Sequence, residues 1–256
     1  MMLRNQESLC SLGSLNFLYC QKLIKMLTYN ECRDFANIDR PEGRVYNVPP
    51  GLYPSVTTVL KATANMNGIN AWRAKIGEEE ADRILEAASS RGTILHKYLE
   101  DFLIEYSKPT IDDARHFIKN SGLENEQLFI QQMVKSVIKQ LLIHKYESLA
   151  QEFVVWDDEL KIAGRCDNLG YWMGKLTLVD FKTARKEKPL AYVQDYFIQA
   201  TAYCKAHNRM FPEQISRFVI IIANEQGGFQ LFTGTPQQYI PNLRYRVKKY
   251  YEQKAY

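Results

Sequence analysis

The feature that most restricts this chain is a change of hydrophobic period close to residue 146. Upstream, apolar side chains recur every three or four positions, the spacing of one helix face. Over residues 78–106 the stripe is Ile84, Leu85, Ala88, Leu95, Leu99, Phe102 and Leu103, with Gly92 marking a place for a kink. Over residues 123–146 it is Phe129, Met133, Val137 and Leu141. Downstream the period falls to two, and residues 153–156, 161–172 and 176–183 read as consecutive strands joined by turns at Asp157-Asp158-Glu159 and Met173-Gly174-Lys175. Pro189 opens another helix with Val193, Tyr196, Phe197, Ala200, Cys204 and His207 on its apolar face. Two more strands at 216–223 and 229–233 precede a closing helix carrying Leu243, Val247 and Tyr250. Helices, a meander, a helix, two strands and a helix predict an α/β fold with one central mixed β-sheet flanked by α-helices.

Ahead of the long helices, Gly43-Arg44-Val45-Tyr46-Asn47-Val48 alternates like a strand and ends in the turn signal Pro49-Pro50-Gly51. Ser55 then reads as the N-cap of a short helix through residue 62. The expected organisation is an N-terminal helical extension at 1–43 and a single domain at 44–256. Residues 1–28 are Ser- and Leu-rich, with Arg4, Lys22 and Lys25 against Glu7, and read as a targeting segment or a start placed ahead of Met26.

The longest purely apolar run, residues 218–223, is far short of the roughly 20 residues of a membrane span. Lys and Arg number 33 against 29 Asp and Glu, a net +4 that permits a polyanionic partner without requiring one. The five cysteines, at 10, 20, 32, 166 and 204, include no C-x-x-C pair. A disulfide framework, a zinc ribbon and an iron–sulfur cluster are therefore not expected.

Chemistry concentrates on the meander. In Leu176-Thr177-Leu178-Val179-Asp180-Phe181-Lys182-Thr183, strand alternation puts Asp180 and Lys182 on one face, Val179 and Phe181 on the other. An isolated D-x-K is an ion pair at a sheet edge. Here the preceding strand holds Gly164-Arg165-Cys166-Asp167, and a hairpin turning near Gly174 brings Asp167 to Asp180. Neighbouring carboxylates repel, and a hard cation between them relieves the repulsion. Glu152, on the strand before, adds a further carboxylate. On the helices, His96 and Glu100 stand at i, i+4, as do Gln199 and Tyr203.

The ordered set G-x-x-x-H-x-x-x-E, G-x-x-D, D-x-K and Q-x-x-x-Y resembles the RecB-like branch of the PD-(D/E)XK nucleases. Within it, Tyr53-Pro54-Ser55-Val56-Thr57-Thr58-Val59-Leu60, the 91–100 segment and Val179-Asp180-Phe181-Lys182-Thr183 look like the mitochondrial genome maintenance exonucleases and their bacteriophage relatives. The resemblance covers residue 44 to the C-terminus. It implies a restriction-endonuclease-like core, one or two Mg²⁺ or Mn²⁺ ions, and His96, Asp167, Asp180 and the Phe181 carbonyl as their ligands. Asp167, Asp180 and Lys182 become the catalytic set, with Lys182 positioning or activating the attacking water. Gln199 and Tyr203 become orienting residues, and Glu100 and Glu152 outer or water-mediated ligands. No iron–sulfur cluster is implied.

The implied activity is metal-dependent hydrolysis of DNA phosphodiester bonds, preferentially from single-stranded ends, in replication, recombination or repair. The alternatives are a duplex exonuclease or structure-specific endonuclease with the same site, or a catalytically idle DNA-binding subunit. Arg91, Trp72, Arg73, Arg185, Lys186 and Lys188 are the candidate DNA contacts. Replication or recombination proteins are candidate partners and oligomeric state is left open. The expected compartment is the cytoplasm of a bacterium or phage-infected cell, with the mitochondrial matrix as the alternative.

Overall fold

The computed structural model describes residues 27–255. The targeting or start-site expectation for residues 1–28 therefore lies almost entirely outside the described residues. The first helix among the described residues, α1 (Tyr29–Arg33), starts at Thr28, whose hydroxyl and backbone exchange hydrogen bonds with Glu31. Strands β1 (Asn37–Arg40), β2 (Gly43–Val48) and β3 (Gly51–Pro54) follow as an antiparallel meander. Here the turn expected at 49–51 is shorter than its sequence suggested: Gly51, at φ 143°, already starts a strand in which Pro54 pairs with Val45. Pro54 can join because it ends an edge strand.

Helix α2 (Val56–Thr63) begins where predicted, with Ser55 Oγ accepting the Thr58 N–H at 2.9 Å. Helices α3 (Asn67–Ile76), α4 (Glu78–Glu105) and α5 (Ile111–Asn120) come next, and α4 runs unbroken through Gly92. The single helix expected over 123–146 is divided. A 3₁₀ turn occupies Leu123–Asn125, and α6 spans Leu128–Ile143. The Gln131 side-chain amide donates to the Glu124 and Glu126 carbonyls, satisfying backbone the break leaves free.

The sheet comprises β4 (Glu147–Asp157), β5 (Ile162–Trp172), β6 (Lys175–Ala184), β7 (Phe218–Asn224) and β8 (Phe229–Gly234), in that spatial order. It is mixed, as predicted: β6 and β7 are parallel and every other pairing antiparallel. Met173 (φ 50°) and Gly174 (φ 74°) close the β5–β6 hairpin with two left-handed residues, which suits the strand twist. The parallel step is crossed by α7 (Gln194–Met210), preceded by a 3₁₀ turn at Leu190–Tyr192 rather than by helix from Pro189. Helix α8 (Pro236–Lys254) closes the chain.

Each face of the sheet carries its own core. On one side Val56, Val59 and Leu60 of α2, Phe197, Ala200 and Cys204 of α7, and Leu243 and Val247 of α8 pack on Leu178, Phe218, Ile220 and Ile222. On the other, Leu95, Leu99, Phe102 and Leu103 of α4 and Met133, Val134 and Val137 of α6 pack on Val179, Phe181, Val219 and Ile221. Burying one such Leu or Phe side chain contributes about 2 kcal/mol. Residues ahead of 44 join the same body: Cys32 is fully buried in the first of these cores and β1 pairs along β2.

Candidate active site

Strand β6 has both faces covered, so its polar side chains stand out. Leu178 faces the α7 core while Val179 and Phe181 face the α4 core, which leaves Asp180 and Lys182 together on the α7 side as alternation predicts. Asp180 is 1% exposed, and its Oδ2 lies 2.5 Å from Lys182 Nζ. Burial pushes the Asp180 carboxyl up to about 6, with Lys182 opposing that rise and Asp167 adding to it. The Lys182 ammonium sits above its ordinary value: burial works against it, but Asp180 and Asp167 outweigh that effect. The Tyr196 ring of α7 lies 5.4 Å from Nζ, a cation–π contact.

The β5–β6 ladder reaches Asn168 opposite Val179 and there stops, so the next position on each strand is Asp167 and Asp180. In place of strand pairing, Asp167 Oδ2 accepts the Phe181 N–H at 2.7 Å. Helix α4 supplies His96, whose Nε2 lies 2.8 Å from the Phe181 carbonyl. A carbonyl only accepts, so Nε2 carries the proton, and in the neutral ring Nδ1 turns a lone pair toward Asp167 Oδ1 at 3.7 Å and Glu152 Oε1 at 4.0 Å. Gly92, one turn before His96, faces β6 with room to spare: a Cβ there would make only an ordinary contact with Thr183 Oγ1, 3.9 Å away, so the approach of α4 does not depend on glycine at this position.

Glu152 reaches this group through an unusual backbone. Its φ is 48°, in the left-handed region that costs a non-glycine residue about 1–2 kcal/mol. Burial pushes its carboxyl up to about 7; Asp167 adds to the rise and His96 offsets part of it. Glu152, expected as an outer ligand, thus stands level with His96 and Asp167, and one ligand atom from each of the three falls within 4.8 Å of the others.

One ligand atom from each of His96, Glu152 and Asp167 converges on a common point, and both Asp180 oxygens are buried without an aligned hydrogen-bond donor among the described residues. That donor set fits a hard divalent cation, which would turn the repulsion into attraction. His96, Glu152 and Asp167 could hold such an ion, with Asp180 on the adjoining strand; the Phe181 carbonyl, expected as a further ligand, here accepts the His96 Nε2–H. Gln199 and Tyr203, both buried on α7, are joined by a 2.9 Å hydrogen bond from Nε2 to the phenol oxygen. Glu100 pairs instead with Arg33 of α1, at 2.7 Å.

Compared with known families, residues 70–252 match the profile described as the PD-(D/E)XK nuclease superfamily. The chain belongs to that superfamily. Among curated proteins it is 26% identical over 189 residues to mitochondrial genome maintenance exonuclease 1 of Xenopus tropicalis, an alignment covering 69% of this chain and 50% of that one. The Homo sapiens protein of the same name is 25% identical over 207 residues, covering 74% and 56%. The chain spans about half the length of these relatives. A crystal structure of a candidate exonuclease from Eubacterium rectale overlaps 62% of this chain and 64% of its own at 14% identity and a TM-score of 0.41.

The basic residues of this superfamily member divide into two groups. Arg91 is buried on α4 and pairs through Nη1 with Glu225 Oε1 in the β7–β8 turn, while Arg185 Nε lies 3.9 Å from Glu225 Oε2. Lys188 is tied at both backbone groups to the Gln230 side chain; burial and the nearby Arg91 hold its ammonium below the ordinary value. Lys186 is exposed on the same loop. Trp72 and Arg73, by contrast, lie on α3, which has no buried residue, and Arg73 is held by Glu78 and Asp82 of α4. Glu225 and Arg33 carry no motif, so only the fold reveals their contacts. Among the described residues, no helix is long and apolar enough to cross a membrane.

Proposed function

We propose that this protein is a metal-dependent deoxyribonuclease that shortens DNA from its ends, preferring single strands. The observation carrying this reading is the convergence of His96, Glu152 and Asp167 beside the buried Asp180–Lys182 pair. One or two Mg²⁺ or Mn²⁺ ions fit a site dominated by carboxylate oxygens. Such an ion supplies Lewis acidity toward the phosphate and makes a water nucleophilic near neutral pH.

The chain's own side chains do the rest. Lys182 keeps its proton while Asp180 faces it, so its ammonium is a charge donor available to a phosphate oxygen or an attacking water. Tyr196 limits where that ammonium can move, and Tyr203, hydrogen-bonded to Gln199 on the same helix, sets its ring against Gly164 of β5. His96 is oriented through its bond to the Phe181 carbonyl. Arg91, Arg185 and Lys188 gather beyond the end of β6, where the phosphate before or after the scissile one would lie. Lys186, Trp72 and Arg73 are candidate contacts for the strand leading to it.

The names of the curated relatives support an exonuclease and a role in DNA maintenance. Bacterial or phage-infected cytoplasm and the mitochondrial matrix are both consistent with it, and replication or recombination proteins are fitting partners. A covalently closed single-stranded circle, offered beside a linear strand of the same sequence, separates this reading from its rivals. An exonuclease degrades the linear strand alone. Cleavage of the circle would establish an endonuclease, and binding without cleavage of either an idle subunit.

A further inference from the structure

Arg165 occupies the second position of the G-x-x-D motif, between Gly164 and the Cys166-Asp167 pair. Its side chain turns back across β4: Nη1 donates to the Glu152 carbonyl at 2.5 Å and to the Arg33 carbonyl at 3.3 Å, and Nη2 donates to the Phe35 carbonyl at 3.2 Å. These are main-chain acceptors from two places far apart in sequence, the end of α1 and the middle of β4. The residue it holds on β4 is Glu152, the one with φ 48°. In the β4–β5 ladder Gln151 pairs with Asn168 and Phe153 with Cys166, while Glu152 and Asp167 between them are not paired. A left-handed residue in a strand turns its carbonyl out of the ladder, and that carbonyl then needs another donor. Arg165 is that donor.

The segment around α1 completes the arrangement. Tyr29 packs edge-on against Phe153, the residue after Glu152, with ring centroids 5.2 Å apart. Arg33 reaches over to Glu100, one helical turn beyond His96, at 2.7 Å. All of α1 lies outside the 70–252 stretch that matches the nuclease profile.

We infer that Arg165 is a positioning residue that holds Glu152 in its left-handed conformation, and that the 29–35 segment, through its carbonyls and Arg33, is a working part of the cation site. Glu152 freed from Arg165 relaxes toward extended φ, which swings its carboxylate away from His96 and Asp167. The inference rests on the proposed metal site and specifies what shapes it.

The test is Mn²⁺ binding to the full chain, measured by titration calorimetry without DNA, for wild type, Arg165→Ala, Arg165→Lys, Glu152→Gln and the Arg165→Ala/Glu152→Gln pair. The expected result is at least a tenfold loss of Mn²⁺ affinity in Arg165→Ala. Partial recovery is expected in Arg165→Lys, which keeps the charge but not the fork. In the Glu152→Gln background, removing Arg165 produces no further loss, because the two act through one carboxylate. Should the alanine variant not fold, Arg165→Lys against wild type decides, with a severalfold loss expected. Wild-type affinity in the folded Arg165 variants overturns the inference, as does an equal loss with and without Glu152. Absence of Mn²⁺ binding by wild type would instead remove the metal-site reading, and the inference with it.

Discussion

Gly164, which opens the G-x-x-D motif, has no room for a side chain. A Cβ built there lies 2.4 Å from Tyr203 Cε1, 3.0 Å from Cζ and 3.1 Å from the phenol oxygen. Carbon atoms in contact settle at about 3.5–4.0 Å, so in Gly164→Ala the ring must withdraw by about 1 Å. It has little freedom to do so: Tyr203 is 4% exposed and its oxygen accepts a hydrogen bond from Gln199. Overpacking of this kind costs about 1–3 kcal/mol. For a chain of this size that lowers Tm by about 2–12 °C, read by thermal unfolding with circular dichroism. The same methyl in a Tyr203→Leu background meets no ring, so its cost there should fall by about 1 kcal/mol or more. A Gly164→Ala protein melting within a degree of wild type, or losing as much stability without the tyrosine ring, would refute the account of why glycine occupies this position.

Further outcomes concern charge and clamping. With Glu152 pushed up to about 7, folding opposes its ionisation; that cost is absent below about pH 4.5, grows as pH rises, and is complete above 7 at about 3 kcal/mol. Denaturant unfolding in EDTA should therefore find Glu152→Gln gaining on wild type from pH 5 to pH 8, and a pH-independent difference would contradict this. Burial holds His207 neutral, down at about 4, beside the Tyr29 hydroxyl. Its contribution is intact above pH 6.5 and is lost, about 3 kcal/mol in all, as pH falls toward 4; His207→Gln should lack that acid limb. Arg246 of α8 donates to Thr63 Oγ1 at 2.6 Å and to the Leu60 carbonyl, and its Nη1 meets Asp195 at 2.7 Å. Arg246→Ala strands those acceptors and should cost about 2–4 kcal/mol in chemical unfolding; a loss below 0.5 kcal/mol would dismiss the clamp.

The meander was legible because alternating residues and a two-residue turn act locally: 161–172 and 176–183 came within a residue or two of β5 and β6. The same locality placed Asp180 and Lys182 on one face and Asp167 opposite Asp180. Helix α3 is not legible in the sequence because it buries no residue and so presents no apolar stripe. Helix α5 does carry a sequence signal, the Thr110–Asp113 capping box ahead of Ala114 and Phe117, but only two buried positions follow it, too few for a periodic stripe. Strand β3 was hidden by Pro49-Pro50-Gly51, whose turn composition outweighs a four-residue strand. The full reach of Glu152 is not readable in the sequence, since a left-handed Glu inside a strand contradicts its own propensity, and the Arg165 bond to its carbonyl comes from a neighbouring strand.

The most direct test of the central claim follows an end-labelled single-stranded oligonucleotide over time with Mg²⁺ or Mn²⁺, in parallel with EDTA and with Lys182→Ala. Progressive shortening is expected, abolished by EDTA and slowed by the substitution about 100-fold or more, with the fold intact. Shortening that persists at the wild-type rate without Lys182, or in EDTA, would contradict the claim.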